Sequence, residues 1–421
     1  MAQPGTTAAD PAMGGRTGSR IVAALAITQT VGYGTLYYAF AVFLTPLAAD
    51  LHASTTAVTG TFTAAVLTSA ALAVPVGRLL DRRGGRALMT GGSLAGAVLL
   101  GAWSQVDNLG QLYAVQIGIG VAGAASLYEA AFAVIIAWHP PERRSGALLA
   151  VTVVAGFAST VFLPLTGWLV DRHGWRAALL ILAAIQALLT VPPHLLFVRR
   201  PPHVARYPGT PPRRAGTGLR QVLADRGFWL LAVSFTANTA AIAVLTVHLV
   251  AALVSWGHTA TFAAAVAGLF GVLSVTGRLV TTGLQRHFRT TTVVAAVFAV
   301  QAAAAAVLPF TGRDATMATV GVIGFGLGFG VATIAKPVLL ADRYDTRRYA
   351  TIAGTLVVPV TIAKAAAPLG AAVLHTRSGG YTAVFLATAV SCAVAAVALV
   401  ATGRRSGDRA RRRDEPAWRG G

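Results

Sequence analysis

Four charged side chains stand inside long apolar stretches of this chain: Glu129, Arg278, Lys336 and Lys364. A charge near the centre of a bilayer costs about 2.5–3.5 kcal/mol even on the lenient insertion scale, so each must meet a partner, line a polar cavity or reach the interface. Lys364 sits midway along its stretch, too deep for easy snorkelling, and reads as a cavity cation or one half of a structural pair. Arg278 lies nearer one end and reads as a cavity cation or, like Arg78 at the matching position of the repeat, as an interfacial residue. Lys336, just before Pro337, either serves the site or snorkels. Glu129, beside Tyr128, fits a proton-accepting coupling group, a gate partner for a lysine, or a packing hydrogen bonder. The chain has 32 arginines and two lysines, and both lysines are in this intramembrane set. An ammonium changes its protonation on desolvation far more readily than a guanidinium, which suits a site that must release its ligand. Tyr33 and Tyr37 share a helix face that excludes Tyr38, and their hydroxyls can donate to an oxyanion or the rings can pack in a core. Asn238 is a lone mid-depth amide able to touch a substrate.

These residues need an apolar scaffold, and the composition supplies one. Of 421 residues 55% are hydrophobic and 11% charged, and mean hydropathy is +0.66, values of a polytopic membrane protein rather than soluble domains. A crossing helix needs about 20 apolar residues. Twelve such runs are present, near 21–48, 56–80, 87–106, 111–138, 146–170, 175–198, 227–254, 260–284, 291–310, 316–341, 349–375 and 380–402. With the N-terminus inside, 27 of the 34 basic residues fall on the cytoplasmic side and four outside, Arg172, Arg176, Arg313 and Arg377. Both termini are therefore expected in the cytoplasm, in the cell's inner membrane, with no cleavable signal peptide. The expected organisation is a disordered head over 1–19, a six-helix bundle over 20–198, a Pro- and Arg-rich linker over 199–226, a second six-helix bundle over 227–402 and a disordered basic tail over 403–421.

The two halves repeat each other. Thr61-Phe62 matches Thr261-Phe262, Gly77-Arg78-Leu79 matches Gly277-Arg278-Leu279, Arg143-Arg144 matches Arg347-Arg348, and Pro164-Leu165 matches Pro368-Leu369. Duplicated bundles are a common plan for secondary transporters.

Between the second and third spans, Gly77-Arg78-Leu79-Leu80-Asp81-Arg82-Arg83-Gly84-Gly85-Arg86 fits G-x-x-x-D-R-x-G-x-R. Gly77 would let helices approach closely, Asp81 would meet a helix end or an arginine, and Gly84 would permit the turn. This run resembles the signature loop of the major facilitator superfamily, in which Gly77, Asp81, Arg82, Gly84 and Arg86 would form a conformational latch. The second copy carries Thr281 in place of the acid, so a latch there should be weaker. Pro164-Leu165-Thr166-Gly167 with Asp171 and Gly174-Trp175-Arg176 resembles the junction of the fifth and sixth spans in that superfamily. Phe270-Gly271 followed by Arg278 resembles the eighth span of monocarboxylate transporters, and Lys364 ahead of Pro368-Leu369-Gly370 the eleventh span of oxalate–formate exchangers. The resemblance implies that Arg278 and Lys364 neutralise substrate carboxylates. Three departures qualify it: Ser274 replaces the acid partnering that arginine, Tyr38 stands near a first-span lysine position, and Gln116 near the fourth-span arginine of proton-coupled drug exporters.

The expected fold is thus an all-α membrane protein of twelve transmembrane helices in two pseudo-symmetric six-helix bundles, with a cavity lined by spans 1, 4, 5, 7, 8, 10 and 11. The expected function is secondary active transport by alternating access, of a small, monocarboxylate-like organic anion, proton-coupled or exchanging. Proton-driven efflux of a hydrophobic drug or metabolite is the rival, and a non-transporting membrane sensor the alternative of another class. The substrate site is assigned to Lys364, Arg278, Tyr33, Tyr37 and Asn238, and coupling or gating to Glu129, Lys336 and Tyr128. Expected partners are a small molecule and the bilayer, with the protein a monomer. No enzyme activity, cofactor, metal or nucleic acid is expected. Gly118-Ile119-Gly120-Val121-Ala122-Gly123 fits G-x-G-x-x-G but lies in a span with no preceding strand, so it reads as helix packing. The Arg-rich tail with Trp418 reads as a topology and lipid signal.

Overall fold

The structure, a computed structural model, describes residues 11–199, 219–344 and 346–414. It divides into two compact units, one up to residue 212 together with 346–351, the other over 213–345 and from 352 onward. The first contains α1 (Pro11–Tyr33), a π-helical turn (Gly34–Tyr38), α2 (Phe40–Asp50), α3 (Thr55–Arg83), α4 (Gly85–Trp103), α5 (Leu109–Ser126), α6 (Tyr128–Trp138), α7 (Pro141–Gly156) and α8 (Ala158–Phe197). The second contains α9 (Leu219–Ala224), α10 (Arg226–Ser255), α11 (Ala260–Leu284), α12 (Thr290–Thr311), α13 (Ala315–Gly326), α14 (Val331–Arg343), α15 (Tyr349–Ser378) and α16 (Tyr381–Asp414). A 3-10 turn, Thr346–Arg348, precedes α15, whose first residues belong to the first unit.

Among the described residues, nine helical stretches are long and apolar enough to cross a membrane. The one over 141–197 is 57 residues, far more than the bilayer accommodates in one pass, and Gly174 at φ 78° divides it into two spans. With α4 and the α1–α2 stretch, the twelve expected spans are all present. Four of them are not continuous helices: the first carries the π turn, the fourth breaks at Leu127, the fifth at Phe157 and the tenth over 327–330.

Three boundaries differ from expectation. Helix α1 starts at Pro11 and α16 runs to Asp414, in segments expected to be disordered, and α9 falls inside the expected linker. Arg is a strong helix former, so the Arg-rich 403–414 extends α16 into water at little cost per residue, whereas 11–19 holds three glycines and its helix runs against local propensity. The remaining parts of the head, linker and tail, including Trp418, lie outside the described residues.

The units reuse their helix caps. Ser54 caps α3 and Thr259 caps the matching α11, through Ala57 N (3.1 Å) and Phe262 N (3.2 Å). Asn108 caps α5 and Asp314 caps α13, through Gln111 N and Met317 N, both at 2.9 Å. Matching caps at matching helices carry the duplication from sequence into local structure. Each unit has its own core, built around Phe43, Trp103 and Phe162 in the first and Leu245, Phe325 and Phe385 in the second. Large apolar side chains such as Leu188 (70% exposed) and Val397 (68%) point outward, as lipid-facing helices require.

Where α10 begins and α14 ends, Asp225 caps α10 through Gly227 N (3.1 Å), pairs with Arg343 Nε (3.0 Å) and accepts from the Tyr344 hydroxyl (2.8 Å). Burial alone would raise the Asp225 carboxyl, but the Arg343, Gly227 and Tyr344 donors outweigh it and hold the group below its ordinary 3.8. A depressed carboxylate contributes stability above its unfolded pKa and loses it as pH falls through the folded value. Replacing Asp225 with Ala should therefore lower stability by about 1–2 kcal/mol at pH 7. The gap between wild type and variant in thermal melts of the detergent-solubilised protein should close as the pH falls below 3.8. A gap that stays constant with pH would contradict the assignment.

Candidate functional site

In the first unit the site is aromatic and acidic. The π turn is marked by the Ala39 N–H bond to Gly34 O, five residues back, at 3.0 Å. Gly34 has no room for a Cβ, which would strike the Phe162 ring, so glycine is needed where the turn meets α8. The extra residue per turn changes the expected face: Tyr33 lies 6.0 Å from Tyr37 and 6.5 Å from Tyr38, so Tyr38 joins the cluster that ideal helical spacing would exclude. Tyr33 also meets Tyr128 at 4.5 Å, Tyr128 stacks on Phe132 at 4.9 Å, and Tyr37 meets Phe62 edge-on at 5.0 Å. Glu129 stands in the first turn of α6, where the helix dipole favours an anion, within electrostatic reach of Tyr33 and Tyr349.

In the second unit the cations are spread over three spans. Lys364 is exposed at the middle of α15, between Pro359 and Pro368. Arg278, half-buried on α11, donates Nε–H to Gly330 O at 3.2 Å, at the break in the tenth span. Lys336 is half-buried on α14 next to Pro337. Asn238 is placed differently from a ligand contact: it is 0% exposed and its amide donates to Gln301 Oε1 at 2.8 Å. That bond ties α10 to α12 within the buried interior of the second unit. Gln116, at the exporters' arginine position, is 1% exposed within α5. Among the described residues no three His, Cys, Asp or Glu side chains form a metal-holding group, and Cys392 is buried.

The motif loop lies at the start of α15. The Asp81 carboxylate accepts from Ala350 N (3.1 Å), Thr351 N (2.9 Å) and Thr351 Oγ1 (2.6 Å), capping that helix from a position 270 residues earlier in the chain. A Cβ on Gly77 would collide with Ala350 O, so glycine there lets α3 touch the capped turn. Gly84 has φ 78°, the left-handed region, and it separates α3 from α4. Arg82 and Arg86 are exposed on either side of it. In the repeat, Gly277 instead abuts Leu327 O, and Thr281 at the acid's position is buried. At the other end of the first unit Arg176 bridges Asp50 (2.9 Å) and Asp107 (3.2 Å) and stacks over Trp175, joining α2 and α8.

Residues 25–368 match the Major Facilitator Superfamily. The chain belongs to that superfamily. An MFS-type efflux pump of Mycolicibacterium smegmatis is 29% identical over 177 residues, 40% of this chain and 39% of the pump. The uncharacterized transporter YybO of Bacillus subtilis is 26% identical over 179 residues, 39% of this chain and 40% of YybO. The alignments thus span about two fifths of the length of these curated relatives. Among solved structures, a bacterial homologue of the iron transporter ferroportin, in an outward-facing state, superposes with TM-score 0.72 at 14% identity, over 93% of this chain and 100% of that one. The E. coli fucose:proton symporter FucP gives 0.69 at 15%, over 91% and 97%. The human organic anion transporter MFSD10 gives 0.68 at 15%, over 91% and 99%. At such identities the likeness is one of fold. This major facilitator protein is a multi-pass membrane protein with the superfamily's fold.

Sequence reasoning passed over Gln29, Gln301 and Thr351. The first two had a signal, since a polar amide in mid-span is nearly as conspicuous as a charge. Thr351 had none, because only the fold brings it to Asp81. Replacing Asp81 with Ala removes the acceptor from three donors and should cost about 1–3 kcal/mol. Thermal melting of the solubilised protein should fall by several degrees, with Asp81→Asn in between; an unchanged Asp81→Ala melt would mean the cap is idle.

Proposed function

We propose that this protein is a transporter that carries a small organic anion of the carboxylate class, with Lys364 and Arg278 as its charge-neutralising groups. The observation that carries the reading is Lys364: a lysine at the middle of an apolar span, exposed, on a helix that contains two prolines. Arg278 supports it, because its Nε bond to Gly330 fixes the guanidinium plane beside a helix break, where backbone polar groups and a cation face the same ligand. Glu129 and Tyr128 would then couple or gate, Tyr33 and Tyr37 would offer hydroxyls to the anion, and Lys336 would set the potential near the end of α14. Asp81, Gly77 and the arginines of their loop would latch α15 in one state and release it in another. The arginine-rich side would be the cytoplasm, with both chain ends there, in the inner membrane, and the protein a monomer that couples transport to protons or exchange.

A second reading has a specific observation behind it. The aromatic cluster of Tyr33, Tyr37, Tyr38, Phe62, Tyr128 and Phe132 holds no basic residue, which suits an apolar or ring-bearing cargo, and one relative is an efflux pump. Export of a hydrophobic metabolite would use this face rather than the lysine.

Uptake of labelled monocarboxylates and dicarboxylates into proteoliposomes decides the first reading. Lys364→Ala should reduce uptake at least tenfold and Lys364→Arg should keep part of it; wild-type flux in the alanine variant sinks the assignment. Retention of a fluorescent hydrophobic dye in overproducing cells tests the rival. Low retention that rises with an uncoupler, and that Lys364→Ala leaves unaltered, would favour efflux.

A further inference from the structure

In two of the broken spans, the fourth and the tenth, a carbonyl at the break accepts from a buried amide side chain. Helix α5 ends at Ser126. In an unbroken helix the Ser126 carbonyl would accept from Ala130 N–H, but Ala130 and Ala131 both donate to Leu127 O, each at 3.1 Å. The Ser126 carbonyl is thereby released at a depth where the bilayer offers no donor. Gln29 of α1, 0% exposed, donates Nε2–H to it at 2.9 Å. A carbonyl can only accept, so the nitrogen end of the amide must face it. The Oε1 end of Gln29 meets no donor among the described residues, which leaves the single N–H bond as the work of this side chain.

The second unit repeats the device with one more residue. At the end of α13, Phe329 N turns to Gly326 O at 2.9 Å, Phe325 O takes a tighter, three-residue backbone bond from Gly328 N at 3.1 Å, and Gln301 adds its Nε2–H to that carbonyl at 2.9 Å. Gln301 is held in turn by Asn238, which donates to its Oε1 at 2.8 Å; both are 0% exposed. Asn238 lies on the first span of its unit, as Gln29 does on the first span of the other. Asparagine is one methylene shorter than glutamine, and Gln301 makes up the reach.

We propose that Gln29 in one unit, and the Asn238–Gln301 pair in the other, are positioning residues that hold the breaks in the fourth and tenth spans at a fixed register. The chemistry-bearing groups follow those breaks directly. Tyr128 and Glu129 open α6 right after Leu127, and Gly330, the acceptor of Arg278, closes the break over 327–330. One turn along α1 from Gln29, the Tyr33–Tyr128 contact fixes the same junction a second time. Asn238 thereby acts through Gln301 rather than on a substrate. The inference needs no assumption about the cargo.

The test is local hydrogen exchange measured by mass spectrometry on the full chain in detergent micelles, each variant compared with wild type at the same pH. Gln29→Met keeps the volume and removes the donor, so exchange over 127–131 should rise at least tenfold while α10 to α16 stay unchanged. Gln29→Glu restores a donor when protonated, so at pH 5 it should protect the segment better than Gln29→Met does. In the second unit Gln301→Ala should loosen 325–331, and adding Asn238→Gln, which reaches the carbonyl directly, should recover at least half of the lost protection. The proposal fails if Gln29→Met leaves 127–131 within twofold of wild type. It fails equally if the loosening spreads evenly over the whole unit, if Gln29→Glu is no better than Gln29→Met at pH 5, or if the double variant is as loose as Gln301→Ala.

Discussion

Inside a bilayer a backbone carbonyl that loses its helical partner has no water to turn to, and this constraint shapes the molecule more than any single charge does. Regular helices obey it without help. The breaks in the fourth and tenth spans have side-chain partners: Gln29 on the Ser126 carbonyl and Gln301 on the Phe325 carbonyl. Each of these two breaks also lies beside residues that can do chemistry. Irregular backbone is tolerated at depth where it lines a cavity or is buried in protein, so the placement of breaks and the placement of function are one problem.

The same economy appears in the motif loop. Helix α15 begins with backbone N–H groups that need acceptors, and Asp81 supplies two oxygens to three donors. A charged cap of this kind is stronger than a neutral one and is easily lost when the helix moves away, which suits a latch better than a permanent joint. The repeat lacks the acid: Thr281 is buried and Gly277 packs on a backbone carbonyl instead. Duplication supplied two similar bundles, and the loss of one acid confined the charged cap to a single copy.

Much of this architecture was legible in the residues. The spans follow from apolar run length, the duplication from charged and proline pairs in register, and the superfamily from the spacing of Gly77, Asp81, Arg82, Gly84 and Arg86. Helix ends were less legible at 11–19 and 403–414: the second is Arg-rich, with the composition of disorder and the propensity of helix alike, and the first, with three glycines, carries no helix-forming signal. The aromatic face of the first span was only partly legible. Ideal spacing grouped Tyr33 with Tyr37 and excluded Tyr38, but a π turn has no signature in a window of apolar residues, and it shifts the face.

What the amino-acid sequence determined by itself is what depends on local quantities: hydrophobic length, charge placement, capping residues and the family motif. What only the tertiary structure decided is which polar group answers which. Asp81 and Thr351 are 270 residues apart, Gln29 and Ser126 are 97 apart, and Asn238 and Gln301 are 63 apart. No local rule pairs them, because a hydrogen bond between distant segments depends on how helices cross, and helix crossing is set by the whole surface that each presents to its neighbours.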